Sequence, residues 1–489
     1  MDNKLQLHDD SISWAEHEFG QVQLIDKRLN KRLVKIAADF MRQPNASIPQ
    51  ASENAAQAQA TYNFFKNEFI EVEQLLKSHL QRTSQRCAEN DTILMANDTS
   101  YLDFTSQPEK KGMGTLTTKT SLGMLVHPTL AITSEGLPLG IADLQVWARP
   151  KEDFGKSEQR YERFITEKES QKWLNSYRAA AKFQAQNPAS CFVSMGDREA
   201  DVFDLFELTQ AEDIPMTEDG KRPELLIRAA QDRRTAVNNA DDPTISRLWA
   251  TMEKQDLAGT HTIDIPRKNK QPARTTELEI RYAELSIMPP KNCSSKHRQP
   301  ITLWAVWANE KNPPENIEPV SWMLLTTISV KNLDDAIEKV NWYKLRWLIE
   351  ILFKILKSGC NFEKRQLDTN ARLEKCLVID IIVAWRILFM VRIGREHPNL
   401  PCTVLFKDDE WQALYCFVNK TTEIPQQIPS LQETIRMVAK LGGFLGRKND
   451  GQPGVTVLWR GLHRLNDITQ SFRIFCPKHK SQEKVMRKD

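Results

Sequence analysis

The stretch from Asp335 to Lys357 constrains the fold more than any other part of this sequence. It holds neither Gly nor Pro, and its apolar spacing predicts one long helix. On a wheel of about 100° per residue, Tyr343, Arg346, Glu350 and Lys357 fall within an arc of about 60°. Leu345, Leu348, Ile349, Ile351, Leu352, Phe353, Ile355 and Leu356 fill the rest of the circumference. A helix apolar over most of its surface is buried. Charge on such a helix needs a partner or an opening onto a cavity or ligand, because unpaired charge is costly away from water. Two chemistries satisfy the stripe. One is an internal ion-pair network, Arg346 with Glu350 and Glu350 with Lys354. The other is a carboxylate flanked by cations and a tyrosine, suited to holding a metal ion and a polyanionic phosphate together.

Two more carboxylates follow short apolar runs that read as buried strands. Asp98 comes after Thr92–Ala96 and Asp197 after Cys191–Met195. The end of a buried strand is a common catalytic position in α/β proteins. Taken singly, each residue also suits a turn or a helix N-cap, and Asp197-Arg198-Glu199-Ala200-Asp201 suits the acidic start of a helix. Three carboxylates on three rigid elements suit two divalent ions about 3.5–4 Å apart in an in-line phosphoryl transfer. Mg²⁺ favours such oxygen ligands and keeps sites for water and phosphate.

Asp98, the run from Asp197 to Asp201, and the spacing Tyr343-x2-Arg346-x3-Glu350-x6-Lys357 together resemble the DDE transposases of the bacterial insertion-sequence-four family. The likeness extends to Lys168-Glu169-Ser170 with Lys172-Trp173-Leu174, to Trp322–Thr326 and to Leu441–Phe444, and so covers essentially the whole chain. The resemblance implies an α/β, RNase H-like catalytic core with a β-rich insertion, in which Asp98, Asp197 and Glu350 bind two Mg²⁺ (or Mn²⁺) ions. It implies cleavage at the ends of a mobile element by a 3′ nick, a hairpin and hairpin opening, then joining of the 3′ ends to target DNA. Tyr343, Arg346 and Lys357 match residues that hold end phosphates, and Trp322 matches an aromatic that stacks on a flipped base. Base–aromatic stacking of this kind contributes about 1–3 kcal/mol. Arg228 resembles a further DNA contact.

The rest of the chain is read in the same frame. Helices are predicted at Ser13–Phe19, Asp26–Phe40 and Glu53–Phe65, then strands from Thr92, with Leu122–Thr133 and Leu139–Ala148 flanking the turn Ser134-Glu135-Gly136. A helix is predicted over Glu167–Gln184, a β-rich segment from about 215 to 330, and mainly helices from about 371, broken by a Pro-bearing segment between His397 and Pro429. In the predicted helix at 26–40, Lys27, Arg28, Lys31, Arg32 and Lys35 share a basic face while Leu29, Leu33, Ile36 and Phe40 share an apolar one. Such a face is either simply solvated or, on a helix packed on a small bundle, presented to DNA phosphates, and five cations with no acid among them favour DNA. In the family the N-terminal domain recognises the element's inverted-repeat ends, with Arg28 and Arg32 at matching positions. The C-terminal portion resembles the dimerisation domain, implying a homodimer that pairs two DNA ends in a synaptic complex. The expected division is 1–70 for end recognition, 71–370 for catalysis with the insertion at about 215–330, and 371–489 for dimerisation.

Composition narrows the alternatives. With 40% apolar and 27% charged residues the chain is ordinary globular protein, and 18 Gly with 24 Pro in 489 residues exclude collagen-like or low-complexity structure. The eight cysteines are scattered singly, so neither a disulfide framework nor a zinc ribbon is expected. Cys476 with His479 would supply half a metal site at most. No secretory signal or membrane span is read, and a cytoplasmic protein with reduced thiols is expected. Two rival functions remain: a catalytically inactive DNA-binding regulator of transposition, and an RNase H-like nuclease without strand transfer.

Overall fold

The computed structural model describes residues 11–150, 169–237, 245–265, 273–290, 298–448 and 450–476. Five helices lead: α1 (Ser11–Phe19), α2 (Lys27–Arg42), α3 (Ile48–Ala51), α4 (Ala55–Lys66) and α5 (Val72–Cys87). The strands β1 (Thr92–Asn97), β2 (Ser100–Asp103), β3 (Gly114–Thr115), β4 (Leu122–Thr133) and β5 (Pro138–Trp147) follow. Next come α6 (Gln171–Gln186), β6 (Cys191–Gly196), α7 (Phe203–Leu208) and β7 (Glu224–Arg228). Then come β8 (Arg234–Val237), β9 (Ser246–Arg247), α8 (Leu248–Glu253), β10 (Gly259–Ile265), β11 (Arg274–Ile287), β12 (Ile301–Glu310) and β13 (Ser321–Thr326). The chain closes with α9 (Leu333–Leu345), α10 (Trp347–Lys354), α11 (Asn370–Glu396), α12 (Asp408–Asn419), α13 (Leu431–Leu441) and α14 (Val455–Phe475).

Local chemistry explains most of these boundaries. Asp26 caps α2 by accepting the Arg28 N–H, and Ser47 with Gln50 forms a capping box on α3. The β4–β5 hairpin turns at Gly136, whose φ of 99° favours glycine. A Cβ there would also press on Arg392 and Leu345.

The strands form one sheet. Its core order is β5–β4–β1–β6–β7, with β5, β4 and β1 antiparallel and β1, β6 and β7 parallel. This is an α/β, RNase H-like core, and α6 and α11 pack on its strands. The segment expected as an insertion at about 215–330 does not stand apart. β7 pairs with β6 (Met195 opposite Leu226), and β13 pairs with β7 (Leu324 opposite Arg228). The sheet then continues through β12, β11, β8 and β9.

One apolar core runs through all three parts of the chain. Trp14, Phe40 and Phe64 from the leading helices share it with Leu94 and Val126 of the sheet, with most of α11, and with Trp459 of α14. Buried charge stitches the same junctions. Arg365 pairs with Asp380 at 2.7 Å, donates to the Ala46 carbonyl at 2.8 Å and lies over the Phe40 ring. Among the described residues no helix is long and apolar enough to cross a membrane, and the described cysteines are free.

The structure departs from the expected elements in three places. The continuous helix expected over Asp335–Lys357 is divided: α9 ends before Arg346, α10 ends at Lys354, and Ile355–Gly359 form a π turn. Backbone bonding gives the reason. The Arg346 N–H bonds the Tyr343 carbonyl and the Ile349 N–H bonds the Arg346 carbonyl, both three residues back, while Cys360 reaches five back to Ile355. The helix α5 was not read from the sequence, since only Leu75, Leu76, Ser78, His79, Thr83 and Cys87 mark its buried face. The Pro-bearing segment between His397 and Pro429 contains α12. His479 and Lys168 lie outside the described residues.

Candidate active site

Asp98 and Asp197 leave neighbouring parallel strands at the same level. β1 and β6 pair with Ala96 opposite Met195, and continuing that register two residues sets Asp98 beside Asp197. Asn97 fixes the end of β1. Its amide nitrogen donates to the carbonyls of Met95 and Met195 and to Ser194 Oγ, and its oxygen accepts the Thr129 hydroxyl at 2.6 Å. Three strands are thus tied at the residue before Asp98. On β6 the equivalent position is Gly196, where a Cβ would lie 2.3 Å from that of Ala200. Only glycine lets the chain turn this tightly under Asp197, whose Oδ1 accepts the Glu199 N–H at 2.9 Å.

Glu350 arrives from α10, which packs against β1. Arg346 joins the two sides: it donates to Asp98 Oδ2 at 3.0 Å and to Glu350 Oε1 at 2.7 Å. The expected Arg346–Glu350 pair is therefore present, but Arg346 also holds Asp98, and Lys354 is exposed rather than paired with Glu350. Burial pushes the Asp98 carboxyl up to about 6 against the opposing pull of Arg346, and the nearby Asp197 and Glu350 add to the rise. Although burial works against its charge, the Arg346 guanidinium is held above its ordinary range by Tyr343, Asp98 and Glu350. As these side chains stand, no group of three or more His, Cys, Asp or Glu among the described residues is placed to hold a metal ion. Arg346 occupies one oxygen of Asp98 and one of Glu350.

Aromatic and cationic groups adjoin the carboxylates. Trp322 and Tyr343 meet edge to face with centroids 5.4 Å apart, and Arg346 lies 5.9 Å from the Tyr343 ring centroid. Arg228, at the end of β7, donates to the Ser321 carbonyl at 3.0 Å, next to Trp322. Burial pulls its guanidinium down and pushes the Tyr343 hydroxyl up. Lys357 does not join this group. It lies in the π turn, its ammonium lowered by burial, and the charges it faces are Glu363 and Asp103. Arg28, Lys31 and Arg32 lie on α2. Lys27, Arg28 and Lys31 are exposed and Arg32 is half-buried. The expected basic face is narrower than five cations: Lys35 pairs with Asp39 and Glu53, and Arg28 pairs with Asp26 at 2.7 Å.

Two supporting residues have roles that the sequence did not disclose: His127 carried no signal at all, and Asp201 appeared only as the last residue of the Asp197–Asp201 run. His127 on β4 is buried, with Nδ1 2.9 Å from the hydroxyl of Thr99, the residue after Asp98. Burial lowers its imidazole to about 3, so the ring is neutral. Asp201 accepts the N–H groups of Ala230 and Gln231 and the Arg233 guanidinium, pinning the segment after Arg228 to the turn after Asp197. These bonds cross 28 or more residues of chain, and no local pattern announces them.

Three family models match the chain. "Transposase DNA-binding" covers residues 11–70, "Transposase DDE domain" covers 250–385, and "Transposase Tn5 dimerisation domain" covers 382–476. With the carboxylates, the RNase H-like sheet and these matches together, the chain is a DDE transposase, an enzyme of metal-dependent DNA cleavage and joining. Within that class it is similar to the Tn5 transposase. A solved structure described as the piggyBac transposase synaptic complex with hairpin DNA aligns with 99% of this chain and 83% of its own. The identity is 9% and the TM-score 0.35, too loose a match to carry an argument.

Proposed function

We propose that this chain is a cut-and-paste DNA transposase that binds the inverted-repeat ends of a mobile element as a homodimer, cleaves them through a hairpin and joins the 3′ ends to target DNA. The observation that carries the reading is the Arg346 fork spanning Asp98 and Glu350, with Asp197 beside Asp98 on the next strand. In this reading Asp98, Asp197 and Glu350 hold two Mg²⁺ (or Mn²⁺) ions. The donor chemistry fits, since three carboxylates from rigid elements suit a hard divalent cation, and burial leaves the Asp98 carboxylate in want of more positive charge than Arg346 supplies. When bound, such ions activate a water or 3′-hydroxyl nucleophile and stabilise the leaving oxygen.

The chain's own side chains do the rest. Arg346 exchanges a carboxylate for an end phosphate, which its planar fork matches equally well. Tyr343 and Arg228 add a hydroxyl and a second cation to that phosphate site, and Lys357 serves phosphates further along the strand. Trp322, held on edge by Tyr343, receives the base flipped out when the hairpin closes tightly. Arg28, Lys31 and Arg32 on α2 grip the end, and residues 371–489 supply the dimer contact.

The test is cleavage and strand transfer on a linear DNA carrying the element's ends. Asp98→Ala, Asp197→Ala and Glu350→Ala should each abolish Mg²⁺-dependent cleavage and leave end binding largely intact. Normal cleavage by any of the three would remove that residue from the metal set. Cut ends without joined products from the parent protein would favour a nuclease instead.

A further inference from the structure

Successive residues of a strand face opposite sides of a sheet, and at the carboxylates this alternation separates two sets of residues. Asp98 and Asp197 continue the side of Leu94, Ala96, Val193 and Met195, which belong to the core shared with α10 and α11. Thr99 and Gly196 continue the other side, with Ile93, Met95 and Phe192, which cluster with Ala180 and Phe183 of α6. At the head of α6 stands Trp173, buried. Its ring meets the His127 ring edge to face, with centroids 4.7 Å apart, and His127 Nδ1 is 2.9 Å from the hydroxyl of Thr99, next to Asp98. The same indole lies against Gly196, next to Asp197: a Cβ there would stand 3.2 Å from Trp173 Cζ3. The neighbouring Lys172 pairs with Glu199 at 3.1 Å, and the Glu199 N–H donates to Asp197 Oδ1 at 2.9 Å. One rigid ring thus backs both strand ends, and the two carboxylates project on the opposite side.

We infer that Trp173 is a positioning residue that sets the separation of Asp98 and Asp197, and with it the fit of the site to Mg²⁺. The inference rests on the proposed role of both carboxylates as metal ligands. An indole is planar and turns about only two side-chain bonds, so it fixes distances across β1, β4 and β6 that a flexible aliphatic chain would not. Mg²⁺ demands near-ideal octahedral geometry, whereas Ca²⁺ accepts irregular sites. A site whose carboxylates drift apart therefore loses Mg²⁺ before Ca²⁺.

The test titrates Mg²⁺ and Ca²⁺ by calorimetry into the full chain on a pre-cut, dideoxy-terminated end duplex, which cannot react, and counts binding above that to Asp98→Ala. Trp173→Phe should weaken Mg²⁺ by about 10-fold or more, as loss of a partner behind a metal ligand does, and Ca²⁺ by no more than about threefold. The Mg²⁺ concentration for half-maximal cleavage should rise in step. His127→Asn keeps a polar atom for Thr99 but removes the ring that meets Trp173, so it should show the same selective loss, and it serves alone where Trp173→Phe does not fold. Phe183→Leu is the control: Phe183 packs on Phe192 at the start of β6, so this variant should lower Tm and leave Mg²⁺ affinity unchanged. Parental Mg²⁺ affinity in both Trp173→Phe and His127→Asn, equal losses of Mg²⁺ and Ca²⁺, or the same selective loss in Phe183→Leu overturns the inference alone. No binding by the parent above that of Asp98→Ala overturns the metal reading itself, and the inference with it.

Discussion

Arg346 donates from two guanidinium nitrogens to carboxylates on two different elements, Asp98 after β1 and Glu350 in α10. A lysine in its place has a single ammonium on a flexible stem and cannot span both. Charge-assisted hydrogen bonds contribute about 1.5–3 kcal/mol each, so Arg346→Lys should slow end cleavage by about 10–100-fold, the equivalent of one such bond in the transition state. End binding should change little if α2 carries the grip, as proposed above. Single-turnover cleavage beside a binding titration checks this. Equal losses in both would make Arg346 a residue of general DNA affinity. Asn97 acts differently, through the fold. Its amide is 1% exposed and joins β1 to β4 and β6, so Asn97→Ala strands several buried polar groups. A loss of about 2–4 kcal/mol is expected, read from chemical denaturation, whereas a variant as stable as the parent would show the tie to be dispensable.

At the level of elements, the junction of α1, α5, β5 and α11 is held by one buried histidine. His79 Nδ1 lies 2.6 Å from Glu18 Oε2, and its Nε2 accepts the Ile141 N–H at 2.9 Å. The ring must therefore be neutral, with its proton on Nδ1. Burial lowers the His79 imidazole below its usual 6.5 despite Glu18. The unfolded chain then binds the proton more readily than the folded one, and stability present above pH 6.5 is lost as pH falls. Burial works against the Glu18 carboxylate, but Arg86 and His79 outweigh it and hold the group below its usual 4.5, so its contribution too is lost in acid. Tm should fall between pH 6.5 and 5, and His79→Gln, which can still donate and accept, should flatten that dependence. An unchanged slope in the variant would assign the acid sensitivity elsewhere. This junction also marks a limit of legibility. The helix beginning near Asp26, the β4–β5 turn and the strand ends at Asp98 and Asp197 are readable because short-range chemistry sets them. The break at Arg346 was not, because a wheel of uniform pitch cannot register a turn that tightens and then widens.

For the molecule as a whole, a net charge of +3 conceals segregation. Residues 436–489 carry twelve Lys plus Arg against four Asp plus Glu, so they hold +8 and the other 435 residues hold −5. On α2 the exposed cations lie on one side while Leu33, Ile36 and Phe40 are buried. Binding to the DNA ends should therefore depend on salt more steeply than the total charge suggests. Each phosphate neutralised contributes a slope of about −0.9 in log K against log salt, so Lys31→Ala and Arg32→Ala should each flatten the slope by about one. Unaltered slopes would remove these side chains from the DNA interface.

Residue type and near-neighbour spacing in the sequence carried the family signature, the three candidate carboxylates and the basic and apolar sides of α2, and the resemblance built on that signature implied the RNase H-like class. Only the tertiary structure decided that the β-rich segment continues the core sheet, that one apolar core unites the leading and closing helices, and that Arg346 holds Asp98 while Lys357 faces Glu363 and Asp103. Those outcomes depend on contacts between residues hundreds of positions apart. Their energies are set by burial and by hydrogen-bond geometry, which exist only once the chain has packed.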